Sequence, residues 1–544
     1  MPAARTGVTV SQRLGPALAA IAVALPMIAV IVAVAQGAMG ADPELWAHLS
    51  EYVLARVVSN TLVLVVGVVA IAAALGTSLA WLTAACEFPG RSFFSWGLLL
   101  PMAMPAYVLA FVAVATLDYA GAVPTALRDW FGPGFRVPPI RSTAGTIAVL
   151  ALASYPYVYL MARGAFLTHG ARVLEAAQSL GLGPWAGFFR VAVPLARPWL
   201  AGGAALVAME TLADFGAVSV FNYDTFTTAI YKAWFGLFSI ETALGLALLL
   251  LLFVALALVV ERIARGRARF SVADAGTRSA MRLELSRTRG WLAFGYAAAI
   301  FALGFLLPAV VLAQWAWDVA PIDLDARYLS YALRTLGLAG MAALACLSLA
   351  LVLGYATRVA GGAVAQTAAR VATLGYAVPG AVLAVGVVSA LAAIENFWRS
   401  AAGGGGLWLQ GTVLALLIGY VARFLAVAHI PLQGGFARIR PSLEEAARSL
   451  GLSTREVISR LHVPLLGAGI GAAVLLVFVD VMKEMPITLM TRPFGWDTLA
   501  VRVFEMTAEG EWERAALPSL AIVAAGLLPV ALLTWRMERA ARAA

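Results

Sequence analysis

Sparsely charged, apolar runs recur along this chain at lengths that match one lipid bilayer. They fall near 17–36, 58–85, 92–118, 143–166, 196–220 and 241–260, then near 291–317, 331–358, 368–393, 408–430, 465–488 and 515–535. A helix needs about 20 residues to cross the hydrocarbon core. Within that core each backbone N–H and C=O must find its partner inside the segment, and a helix achieves this. The runs therefore predict an all-α polytopic membrane protein with about twelve transmembrane helices. Composition agrees: 62% of the 544 residues are hydrophobic and 12% are charged, which excludes an ordinary soluble domain. The first run lacks a signal-peptide cleavage pattern and more runs follow it, so it reads as the first span.

Loop charge predicts the orientation. The net charge is +9, and the arginine excess sits in short connections and at the ends. Arg262, Arg265, Arg267, Arg269, Arg278, Arg282, Arg287 and Arg289 crowd one linker, and Arg536, Arg539 and Arg542 close the chain. The loop after the first span carries Asp42, Glu44 and Glu51 instead. Cationic loops stay in the cytoplasm, so both termini and the linker are expected there. Arg128, Arg136 and Arg141, in a loop expected outside, run against the pattern.

The polar connections reveal a duplication. Leu174-Glu175-Ala176-Ala177-Gln178-Ser179-Leu180-Gly181-Leu182 returns as Glu444-Glu445-Ala446-Ala447-Arg448-Ser449-Leu450-Gly451-Leu452, and 445 − 175 gives an offset of 270. Arg190, Val193, Pro194 and Leu195 match Arg460, Val463, Pro464 and Leu465 at the same offset. Further out, Thr61 matches Thr335 and Pro105 matches Pro379 at 274, and Asp224 matches Asp497 at 273. Parallel duplication of a unit of about six helices accounts for these small drifts. It predicts a first repeat over 1–261, a basic linker over 262–290 and a second repeat over 291–544. Locally each loop reads as two short helices. Ser442 and Glu445 have capping-box spacing, as do Ser453 and Glu456. Gly181 and Gly451 stand where a helix stops, Pro184 suits a first helical position, and Pro194 and Pro464 are expected to end the second helix.

Glu-Ala-Ala, glycine four residues later and proline thirteen beyond it resemble the EAA loop of ABC-importer permeases, near 171–195 and 441–465. The resemblance implies the type I ABC-importer permease fold, in which each loop is a cytoplasmic coupling helix docked on an ATPase subunit. It assigns ATPase coupling to Glu175, Ala176, Ala177 and Gly181, and to Glu445, Ala446, Ala447 and Gly451. The implied partners are two copies of an ABC ATPase and a periplasmic substrate-binding protein, in a bacterial inner membrane. No G-x-x-x-x-G-K-[ST] occurs, and neither lysine, Lys232 or Lys483, follows a glycine. ATP and Mg are therefore expected on the partner subunits, with no cofactor on this chain.

No nucleophile–base pattern or metal-ligand spacing appears, so no stable metal site and no enzyme are expected. Cys86 and Cys346 lie in or beside apolar runs, and the four histidines read as ordinary loop or helix-end residues. Four carboxylates stand out. Glu210 and Asp214 match Asp480 and Glu484 at offset 270, each pair four residues apart on one helix face. Ionisable groups in a span usually face an interior, making these a candidate substrate pathway; a salt bridge such as Lys483 with Asp480 is the structural alternative. The stretches Glu210–Gly216, Thr225–Tyr231, Met482–Met490 and Arg492–Phe494 resemble the fused permeases of ferric-iron importers. That resemblance implies transport of Fe3+. Fused thiamine permeases share the layout, sulfate and polyamine permeases share the motif, and secondary transporters also use repeats.

Overall fold

The computed structural model describes residues 10–179, 183–265, 282–401, 408–453 and 456–543. The Gly403–Gly406 loop and most of the basic linker lie outside the described residues. The architecture is all-α and polytopic. Among the described residues ten helices are long and apolar enough to span a membrane, or eleven if a pair bent by 74° counts as one span.

The long helices are α1 (Val10–Gly37), α2 (Leu54–Ala85), α3 (Ala106–Leu117), α4 (Thr143–Ser179), α5 (Val193–Ala213) and α6 (Ile240–Arg265). Then come α7 (Arg287–Asp323, through one π turn), α8 (Ala326–Ala360), α9 (Gly380–Ala401) and α10 (Val413–Arg438). The short α11 (Pro441–Ser449) precedes α12 (Gly467–Met482) and α13 (Ala516–Ala543). All twelve predicted runs fall on helical segments. Two of them are broken by the repeat-matched prolines: the chain is non-helical at Pro105, before α3, and at Pro379, before α9. A proline supplies no N–H and clashes with the preceding turn, so the helix restarts after it.

Two compact units form, and they do not follow the repeat boundaries. One comprises Met1–Pro43, Ile230–Leu248 and Asp325–Val501; the other comprises Glu44–Ala229, Leu249–Leu324 and Arg502–Ala544. In the first unit α1, which opens the first repeat, packs against α8 and α9 of the second. Gly386 makes this possible: a Cβ there would meet Val30 Cγ1 at 2.7 Å. Without a hydrophobic drive between helices in lipid, small residues and close backbone approach decide which faces meet. The core of this unit is α8, α10 and α12.

In the second unit α2, α4 and α5 pack mutually, and α7 packs against α13. Strand β1 (Cys86–Glu87) pairs in parallel with β2 (Leu283–Glu284), in the last part of the linker. Arg91 and Arg282 both hold the Glu87 carboxylate, at 3.1 and 3.4 Å. Two of the unexpected arginines near 119–142 have local partners here. Arg141 pairs with Asp118 at 2.9 Å, and Arg128 stacks over the Tyr119 ring at 4.4 Å.

Candidate functional site: two docking corners and two broken helices

The second EAA stretch forms α11. Pro441 sets its first turn, and the preceding Ile439 is extended, with φ −78° and ψ 117°. A residue near a proline's N-terminal side is pushed out of the helical region, which ends α10. Because the helix starts at Pro441, Ser442 lies inside it, and the predicted Ser442–Glu445 box is replaced by a proline start. Gly451 takes φ +84°, and Leu452 N–H donates to Ala447 O at 3.2 Å. That is a Schellman stop at the predicted glycine. The Ser453–Glu456 box does form: Ser453 N–H donates to Glu456 Oε2 at 3.0 Å, and Glu456 N–H to Ser453 Oγ at 3.4 Å.

The prolines expected to end the second helix do not end it. Pro464 follows a π turn over Val457–His462, and Pro194 follows one over Phe188–Ala192. Bonds from i to i+5 absorb the N–H that proline lacks, so the helix carries on. In the first copy it runs straight into α5; in the second it bends at Leu466 before α12.

On α11, Glu445 and Ala446 are exposed, Ala447 is buried, and Leu450 is 83% exposed. Behind it sits a group the sequence did not announce. Arg358, in the last turn of α8, donates to Phe436 O at 2.5 Å and Ile439 O at 2.6 Å, and its Nε to Glu444. Glu444 Oε1 also meets His462 Nε2 at 2.9 Å. His462 is 1% exposed, packed by Phe436 at 5.4 Å and Tyr355 at 5.9 Å. His429 is buried as well. The reading of the histidines as ordinary loop or helix-end residues holds in position for His462, which closes the π turn, and not for His429, which lies inside α10; both are buried. Burial alone would raise the Glu444 pKa, but the His462 bond and the Arg358 charge outweigh it and leave it lowered.

The first copy is built differently. Its helix α4 continues unbroken through Glu175, Ala176 and Ala177 to Ser179. The side chains of these three residues, and Gly181 entirely, lie outside the described residues. Trp81, Phe166 and Phe188 fill the corner, with ring centroids 4.8–6.4 Å apart. Pro184 starts a short helix, as predicted.

The four carboxylates occupy matching breaks. Asp214 ends α5 and its Oδ1 accepts from Val218 N–H at 3.0 Å; Glu484 follows α12 and its Oε1 accepts from Ile487 N–H at 2.8 Å. Thr227 and Thr488 hydroxyls donate to the Asp214 and Glu484 carbonyls, at 2.6 and 2.8 Å. Both acids therefore cap the short helix after a break. Asp480 pairs with Lys483 at 2.9 Å, the salt bridge named as the structural alternative. Glu484 faces Arg423, a buried cation that sequence reasoning passed over, at 3.6 Å. Half-buried Glu210 stands in the last turn of α5. Among the described residues no group of three or more His, Cys, Asp or Glu is placed to hold a metal.

Membrane-length helices, matching helix breaks and a short capped helix after α10 together mark a polytopic membrane protein. Residues 76–269 match the family of binding-protein-dependent transport system inner membrane components. Over 486 residues the chain is 28% identical to the Fe(3+)-transport system permease protein FbpB 2 of Haemophilus influenzae, covering 88% of this chain and 90% of that one. It is 30% identical over 204 residues to the molybdenum transport system permease protein ModB of Escherichia coli, covering 37% of this chain and 87% of that protein. The sulfate transport system permease protein CysT of Escherichia coli is 28% identical over 143 residues, 25% of this chain and 50% of that one. The chain belongs to the binding-protein-dependent transport system inner membrane components. It is a multi-pass inner-membrane permease subunit of an ABC importer, with no enzyme activity of its own; ATP is hydrolysed by a separate subunit.

Proposed function

We propose that this permease carries Fe3+ from a periplasmic binding protein to the cytoplasm. One observation carries the reading: similarity to an Fe(3+)-transport permease runs through 88% of the chain, including the fused double-length layout. The molybdenum and sulfate relatives align with less than half of it. Two ATPase copies dock, one on the loop near 171–195 and one on the loop near 441–465, and ATP and Mg bind there. Both termini lie in the cytoplasm, as the arginine distribution favours. On the second loop Glu445, Ala446 and Leu450 form the contact face, while Ala447 packs inward and Gly451 sets the turn. Glu175, Ala176, Ala177 and Gly181 act likewise on the first.

Glu210, Asp214, Asp480 and Glu484 belong to the substrate pathway in two roles. Asp214 and Glu484 hold the helix breaks in shape. Glu210 and Asp480 offer hard oxygen ligands for transient contact with the cation.

The test is uptake into proteoliposomes containing permease, ATPase and binding protein, supplied in turn with ferric iron, molybdate and thiamine. Iron should accumulate with ATP. Accumulation of molybdate or thiamine without iron overturns the substrate. Glu210→Gln combined with Asp480→Asn should slow iron uptake at unchanged membrane abundance; a normal rate makes these residues structural.

A further inference from the structure

We infer that Arg358, Glu444 and His462 are positioning residues, forming a clamp through which the second docking helix moves its compact unit as a rigid body. The inference rests on the docking role proposed above for the loop near 441–465. It begins with Pro441. Before this residue, α10 stops at Arg438 with Ile439 as its C-cap. Phe436 O accepts from Ile439 N–H at 3.2 Å and takes a second donor from Arg358, which also donates to the Ile439 carbonyl and to Glu444. A guanidinium presents its donors in a planar, fixed fork, so these three acceptors cannot shift independently. Glu444 then reaches His462 at 2.9 Å. Thus α8, the end of α10, α11 and the π turn before α12 meet at one carboxylate and one guanidinium, each side chain 13% exposed.

At matched positions the first repeat has none of these groups. Offset 270 aligns Glu444 with Leu174, His462 with Ala192 and Pro441 with Ala171, and offset 274 aligns Arg358 with Ala84. Trp81 and Phe166 stand at the positions of Tyr355 and Phe436. Apolar packing is non-directional and permits sliding, whereas charge-assisted bonds demand geometry. The second corner therefore transmits a push on α11 with less slack than the first. The two ATPase docking sites are unequal, with the second the stricter.

The decisive quantity is solute transported per ATP hydrolysed, measured on the whole transporter in proteoliposomes with loaded binding protein. In Arg358→Gln and Glu444→Gln the ATPase should still co-purify and hydrolyse ATP, while transport per ATP falls by about tenfold, the scale of one lost charged hydrogen bond. Arg358→Lys, which keeps the charge but not the planar fork, should recover little of the ratio; full recovery would show that charge alone suffices and overturn the clamp. Glu444→Gln keeps the side-chain shape and gives the answer even if Arg358→Gln lowers membrane abundance. An unchanged ratio in Glu444→Gln overturns the clamp. So does a loss of transport that tracks loss of bound ATPase at constant ratio, because the trio then only shapes the surface. Ala446→Trp separates the two readings: it should expel the ATPase, and an ATPase that stays bound refutes the docking role itself.

Discussion

The two EAA corners carry matched sequences yet are held in opposite ways. In the first, α4 runs on from the membrane into the EAA stretch, and three aromatic rings close the space behind it. In the second, Pro441 cuts the helix, and Arg358, Glu444 and His462 rebuild the joint from charges. One proline accounts for much of the contrast. The helix end before it presents the Phe436 and Ile439 carbonyls to Arg358, and that cation takes Glu444 as its counter-charge. A repeat can keep its docking motif while exchanging the forces behind it.

The comparison breaks most visibly at Trp81. Trp81→Ala removes a ring that is 8% exposed and should destabilise the first corner by about 4 kcal/mol. Hydrogen exchange over α2 and α4 should report it, while amides of 444–452 stay protected. Arg358→Ala should do the converse, costing about 2 kcal/mol because it leaves the part-buried Glu444 carboxylate with His462 alone and removes a charged donor from two carbonyls. Exchange should then rise in α11 and leave the aromatic corner unchanged. Equal effects on both corners would mean that the two are not separately held.

Acid sharpens the contrast with a smaller effect. The Glu444 pKa is lowered in the folded protein, so its stabilisation is present above the unfolded value of about 4.3 and is lost as pH falls through the folded value. A spin label at Leu450 should gain mobility as acidification carries the pH down through the lowered folded value of Glu444. Glu444→Gln should abolish that change, and the packing of Trp81, Phe166 and Phe188, which carry no titratable group themselves, should show none. The smallest effect is expected at the helix stop. Gly451 has φ +84°, and nothing lies within 4 Å of the point where a Cβ would stand. Gly451→Ala therefore incurs only backbone strain, about 1–2 kcal/mol. Fraying of α11 by circular dichroism or exchange would register it; unchanged exchange would mean the loop re-forms around the alanine.

Features spanning a few residues were readable from the chain alone. Helix stops such as Gly451, the Ser453–Glu456 box and the Pro184 start follow from neighbours three to five positions away. The Asp214 and Glu484 caps were also local, but their position in apolar runs drew attention to charge and away from capping. Ser442 misled because Pro441 beside it is the stronger start signal. Pro194 and Pro464 misled because a π turn can absorb a missing N–H, and no local pattern distinguishes that from a helix end.

A polytopic all-α membrane permease, duplicated, with a docking motif in each half and no ATP site, is legible in the linear chain, because hydropathy, motif spacing and missing lysines are properties of its order alone. The packing of α1 with the second repeat, and the meeting of Arg358 with Glu444 from 86 residues away, emerge only in three dimensions. The physical reason is the solvent. Apolar helix faces in lipid are nearly interchangeable, so partners are chosen by close fit and by a few buried polar bonds, and neither is written in hydropathy.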